Sequence, residues 1–242
     1  MLVLKGDINK AQRKTLLGAM SHCIAPWFAK PELLMDFLTD SFDVGGSTSL
    51  MALSGLFCLV QEKILDYPQF YPKLYSLLDP HTLHSKHRSR FLRLLDTFLA
   101  STHLPAGLIA SFIKRLGRLC LDAPPSAVVA TVPLIYNLLK RHPPCTFMIH
   151  REVHGADMKE MLVNAGMKDP FRMDETDPMV TGAIGSSLWE VETLQSHYHP
   201  NVATIARIIS EQFTKQRYDV EHFLDHSYGT VSRRPASICP VS

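Results

Sequence analysis

LIASFIKRLGRLCL, residues 108–121, is the stretch whose reading decides the fold. Leu108, Ile109, Phe112, Ile113, Leu116, Leu119 and Cys120 recur at steps of three and four, while Lys114, Arg115 and Arg118 fall between them. That spacing gathers the apolar groups on one face of a helix, whereas a half-buried strand would need alternation. The stretch is therefore an amphipathic helix with a basic face.

The same period continues on either side. Leu83, His87, Phe91, Leu94, Leu95 and Phe98 form one stripe, with Lys86, Arg90 and Arg93 on the adjoining face. Val202, Ile205, Ala206, Ile208, Ile209 and Phe213 form another. Asp79-Pro80, Leu104-Pro105, Pro124-Pro125 and His142-Pro143-Pro144 place proline where a helix stops and the next begins, because proline fits a first turn but breaks an interior. Pro133 lies within an apolar helical run and removes a hydrogen bond, which predicts a kink or two shorter helices. The one candidate for a strand is the brief stretch 146–153. Helices joined by short links predict an all-α chain, read as an α-solenoid of stacked antiparallel pairs of the HEAT kind, with a globular bundle as the alternative. This helical-repeat domain is expected over residues 1–228, with a disordered tail at 229–242.

Composition bounds the rest. The chain has 242 residues, is 46% hydrophobic and carries a formal charge of +2, enough material for a core and too little charge to announce nucleic-acid binding by itself. Cys23, Cys58, Cys120, Cys145 and Cys239 include no C-x-x-C pair, and an odd scattered set suits a reducing compartment. The N-terminus has no secretory pattern. The uncharged run 44–61 opens on Gly-Gly-Ser-Thr-Ser and is too short for the roughly 20 residues of a spanning helix, so a buried core helix is expected and no membrane partner.

Candidate chemistry is weighed segment by segment. SSLWEVETLQSHYHP, residues 186–200, joins glutamates, histidines and a tyrosine. Ser187 and Glu190 have the spacing of a capping box, and Leu188, Val191, Leu194 and Tyr198 would share one helical face. His197 and His199, two apart, diverge on a helix and make poor metal ligands. His81, His84 and His87 have no cysteine or carboxylate beside them within their segment, so no metal site is expected. Asp43-Val44-Gly45-Gly46-Ser47 follows a helical pattern, which favours a glycine C-cap and an N-cap at Ser47 or Ser49 over a phosphate loop. Neither a G-x-S-x-G elbow nor H-E-x-x-H occurs. The expectation is a protein that is not an enzyme and needs no cofactor; a metal-dependent hydrolase using the histidines is the weakest reading.

Two surfaces are candidates for binding. Residues 153–185 are rich in glycine and proline and read as a long loop or arm, with acids at Asp169, Asp174, Glu175 and Asp177. These acids with Trp189 and Tyr198 are the expected partner-facing set. The basic residues Lys86, Arg90, Arg93, Lys114, Arg115 and Arg118 are the expected RNA-contact set, since cations at i, i+4 and i+7 can track a phosphate backbone.

Four stretches carry a resemblance: ALSGLFCLVQEKILDYPQFYPKLYSLLDP (52–80), FIKRLGRLCLDAPPSAVVATVPLIYNLLKRHP (112–143), DPFRMDETDP (169–178) and SSLWEVETLQSHYHPNV (186–202). Together they resemble the CCAAT-binding-factor and nucleolar complex family over residues 30–228. The resemblance implies a non-catalytic helical scaffold of small-ribosomal-subunit assembly and pre-rRNA processing in the nucleolus. It also implies nucleolar protein 14 as a partner within the early precursor particle, beside other small-subunit processome proteins, with pre-rRNA contact as the alternative role. Family members are usually longer, so the chain resembles their C-terminal portion. After DVEHFLDHSY (219–228) the ending SRRPASICPVS departs from the acidic, partly apolar tail of related sequences.

Overall fold

The computed structural model describes residues 9–19, 24, 31–63, 69–85, 87–150, 169–211, 213 and 217–224. Lys86, residues 153–168 of the expected arm and the C-terminal tail lie outside the described residues. All regular structure among the described residues is helical, so the chain is all-α. None of the described helices is long and apolar enough to cross a membrane.

The chain divides into two compact units, Met1–Leu74 and Tyr75–Ser242, with the division inside α4. The first holds α1 (Lys10–Ala19), α2 (Pro31–Asp43) and α3 (Gly46–Lys63), followed by α4 (Phe70–Ser76). A two-residue link leaves α2 and α3 packed on each other. Gly45 in that link has φ +86° and its N–H donates to the Phe42 carbonyl at 3.2 Å, the left-handed C-cap expected of it. The expected serine N-cap is not used: α3 begins at Gly46, and Ser49 Oγ donates back to the Phe42 carbonyl. Leu50, Met51, Leu53, Leu56 and Leu59 are buried, which makes the uncharged run a core helix.

The second unit contains α5 (Pro80–His84), α6 (Arg88–Phe98), α7 (Ala106–Leu121), α8 (Pro125–Arg141), α9 (Trp189–Leu194), α10 (Pro200–Ala206) and α11 (Glu221–Leu224). Pro80, Pro125 and Pro200 each sit in a first helical turn, as their sequence positions predict. At its centre, α7 packs against α8, and α8 is buried from Ser126 to Leu139. Of the two outcomes expected at Pro133, a division into shorter helices does not occur, for α8 runs through it as one helix. Burial on all sides keeps the run helical where the proline removes one bond.

Three further expectations are corrected. The stripe over 83–98 is two helices: Asp79 caps α5 by accepting from Thr82 N–H at 2.7 Å, and Ser85, in extended backbone, ends it. Ser85 Oγ accepts the His87 N–H at 3.1 Å, so a serine competing with the helix leaves His87 exposed at the N-cap of α6 rather than on an apolar face. The last stripe is helical only to Ala206, then tightens into a 3-10 turn at Arg207–Ile209 that keeps Ile208 and Ile209 buried. The candidate strand opens instead in a 3-10 turn, Pro143–Met148. Cys120 and Cys145 are free thiols in this core, and burial pushes them up to about 12 and about 11.

Candidate partner-binding site

The polar face of α7 comprises Ser111, Lys114, Arg115 and Arg118, at the i, i+3, i+4 and i+7 positions that share one side of a helix. Residues 169–188 and the start of α9 cover it. Ser111 Oγ lies 2.5 Å from the Pro178 carbonyl and 2.6 Å from Thr181 Oγ1. Arg115 Nε donates to the Leu78 carbonyl at 2.7 Å, with the guanidinium 4.4 Å over the Tyr75 ring.

Between these, Lys114 and Arg118 meet two carboxylates. Lys114 is fully buried, and its Nζ stands 2.6 Å from Glu190 Oε1, 2.9 Å from Asp169 Oδ2 and 2.6 Å from the Ser187 carbonyl. The Ser187 carbonyl takes a hydrogen bond from the ammonium group, and the two carboxylates balance its charge. Arg118 reaches the same two acids, with Nε 2.6 Å from Glu190 Oε1 and a terminal nitrogen 2.5 Å from Asp169 Oδ2. Two cations and two anions thus neutralise one another in a site where an unpaired charge would be strongly destabilising.

Asp169 also accepts from Phe171 N–H at 3.1 Å, from Ser186 Oγ and from Trp189 Nε1 at 3.1 Å. Burial disfavours its charge, but Ser186, Lys114, the Phe171 N–H and Trp189 outweigh burial and hold it well below the usual carboxylate range. For Glu190, fully buried, burial pushes the carboxyl up against the pull of Lys114 and Arg118. The indole of Trp189 closes the network, with the Arg118 guanidinium 4.6 Å and Lys114 Nζ 5.4 Å from its ring.

Trp189 keeps 37% of its surface and forms a wall of a cleft of about 300 Å³. Met148, Ile149, Leu188, Val191 and Ile209 supply its apolar lining, and His150, Glu192, Gln195 and Ser210 its polar edge. The Leu188 N–H donates to the Met148 carbonyl at 2.9 Å, tying the two sides together. Phe147 and Ile184 are exposed on two 3-10 turns that pack on each other.

The structure sorts the expected residues differently from the sequence. Lys114 was expected to face RNA, yet it has no surface to offer a phosphate, and Arg115 and Arg118 are engaged with carbonyls, carboxylates and rings. Arg93 pairs with Glu221 at 2.7 Å, and Arg90 is exposed on α6. Among the expected partner-facing acids, Asp169 is the hub of the network instead, while Asp174 and Asp177 are exposed and Glu175 lies 3.7 Å from Arg172. Tyr198 is 82% exposed beyond the far end of α9, so it shares neither the buried face of Leu188, Val191 and Leu194 nor the cleft of Trp189. No side chain caps α9, because Glu190 turns to Lys114 and Arg118 rather than back to Ser187. His197 Nδ1 accepts the His199 N–H at 3.0 Å, and burial with the neighbouring His199 lowers its pKa. The cleft lining at Met148, Ile149 and Ile209 was missed; an apolar Phe147-Met148-Ile149 run just past a double proline was its one sequence signal.

Comparison with known proteins follows the same residues. A CBF/Mak21 family model matches residues 49–206. Nucleolar complex protein 4 of Saccharomyces cerevisiae is 43% identical over 251 residues, covering 97% of this chain and 45% of that protein. The Mus musculus homolog of nucleolar complex protein 4 is 46% identical over 222 residues, 92% of this chain and 41% of its own. A protein of Schizosaccharomyces pombe is 53% identical over 226 residues, 92% and 44% of the two chains. The chain thus spans less than half the length of the curated relatives it matches. With its family match running from α3 through α10, the chain belongs to the CBF/Mak21 family.

Proposed function

We propose that this chain is a non-catalytic scaffold of ribosome biogenesis, and that it contributes to small-subunit assembly by capturing a segment of nucleolar protein 14. Its place is the nucleolus, after which its relatives are named. The observation that carries the binding role is the cleft beside Trp189, lined by apolar and polar groups together, whose wall is fixed by a charge network. A rigid, partly exposed tryptophan over an apolar floor has the character of an interface anchor. Stacked helix pairs of the HEAT kind would present such clefts along one surface.

Copurification with full-length nucleolar protein 14, at moderate and high salt, tests this reading. A one-to-one complex that survives high salt is expected, and Trp189→Ala should weaken it about tenfold or more. Alanine at Asp174, Glu175 and Asp177 together should weaken capture without unfolding the chain. A complex dissolved by salt and nuclease would instead assign the association to pre-rRNA, since phosphate contacts weaken steeply as salt rises.

A further inference from the structure

Residues 217–224 cross α6 and α8 in a manner that their own folding does not require. Residues 217–219 have no regular structure, and the side-chain amide of Asn137, itself buried, clamps the backbone of one of them. Asn137 Nδ2 donates to the Tyr218 carbonyl at 2.8 Å, and the Tyr218 N–H donates to Asn137 Oδ1 at 2.9 Å. Such a two-point clamp fixes an extended backbone whatever its side chains, which then read their own positions.

Those positions alternate between apolar sockets and charged latches. Tyr218 is buried with its ring 4.9 Å edge-on to Tyr136, and Val220, Phe223 and Leu224 are buried after it. Arg217 reaches Asp96 at 2.7 Å, and Glu221 takes both Arg93 Nε and a terminal nitrogen at 2.7–2.8 Å. Ser89 Oγ donates to the Leu224 carbonyl at 3.0 Å. Every one of these partners lies on α6 or α8.

We propose that the α6–α8 face is a peptide-recognition groove, filled in this chain by its own residues 217–224, and that a partner segment of the same chemistry competes for it. The ligand class is a peptide that passes from irregular backbone into a helical turn, as residues 217–224 do, with arginine, an aromatic residue, an aliphatic residue two further on, and then within the helical turn an acid next to it and a Phe-Leu pair two beyond. This deepens the scaffold reading and rests on it only for the natural occupant. The groove is tested with a peptide of the chain's own sequence, so its failure and that of the copurification are separate results.

The probe is a fluorescent peptide of residues 213–226, titrated by anisotropy against the whole chain. The cis segment competes at an effective concentration of order millimolar, so weakening it with Tyr218→Ala and Val220→Ala should raise peptide affinity about tenfold or more over the unsubstituted chain. Adding Asn137→Ala should abolish that gain. Because the doubly substituted chain loses buried groups, a second pair avoids that risk: Arg93→Glu acts at a partly exposed ion pair, and a peptide carrying Glu221→Arg should bind this chain at least about fivefold more tightly than it binds the original. Equal affinity of peptide for folded original and weakened chains, or no charge-swap preference, would overturn the groove.

Discussion

Lys114 donates to the Ser187 carbonyl, lies in ion-pair contact with Glu190 and Asp169, and has no exposed surface. Lys114→Met keeps much of the side-chain volume but strands Glu190, and should destabilise the chain by about 3–5 kcal/mol in chemical unfolding. Lys114→Met with Glu190→Leu removes a cation and an anion together, leaving Arg118 and Asp169 paired, and should recover most of that loss. Asp169 sets an acid limit. Its folded pKa is depressed, so as pH falls through about 4 the unfolded chain takes up the proton first and stability declines until the folded carboxyl is also protonated. Asp169→Asn, less stable at neutral pH, should show a flatter loss of stability between about pH 5 and 2 than the original, read from unfolding midpoints across that range.

At the scale of elements, the arm over 169–188 is held by a helix face rather than hung in solvent. Gly182 permits its return, with φ +75° and the Pro170 carbonyl oxygen 2.7 Å from where a Cβ would stand. Gly182→Ala should cost about 1–3 kcal/mol and loosen the cleft wall, visible as a lower melting temperature and weaker partner capture. The helical nature of α7 was legible because its apolar residues repeat within one turn of each other. The fate of its cations was not. Arg118 meets Asp169 from 51 positions away and Lys114 meets Ser187 from 73, distances over which local spacing carries no information. A basic helix face looks alike in sequence whether it meets water, phosphate or buried carboxylates. Glu190 misled for a related reason: its spacing from Ser187 satisfied a local rule, but buried Lys114 and half-buried Arg118 offered a stronger partnership.

For the whole molecule, the core of α7 and α8, the charge network and the cleft all lie within one unit, Tyr75–Ser242. A chain starting at residue 69, so that α4 remains whole, should retain helical circular dichroism and a single cooperative thermal transition; a gradual loss of signal would show that this unit needs residues before it. The all-α class and most helix starts followed from periodicity and proline, while the breaks at Ser85 and Ala206 depended on side-chain competition and tertiary packing. The long separations within the network also impose an order on synthesis. At about 5–20 residues per second, α7 is synthesised several seconds before Asp169 and Glu190 exist. Throughout that interval Lys114 and Arg118 keep their hydration and hold a polar face on a helix whose other side is bare hydrocarbon. The nascent chain thus carries its own solubilising charges until the acids that neutralise them are made.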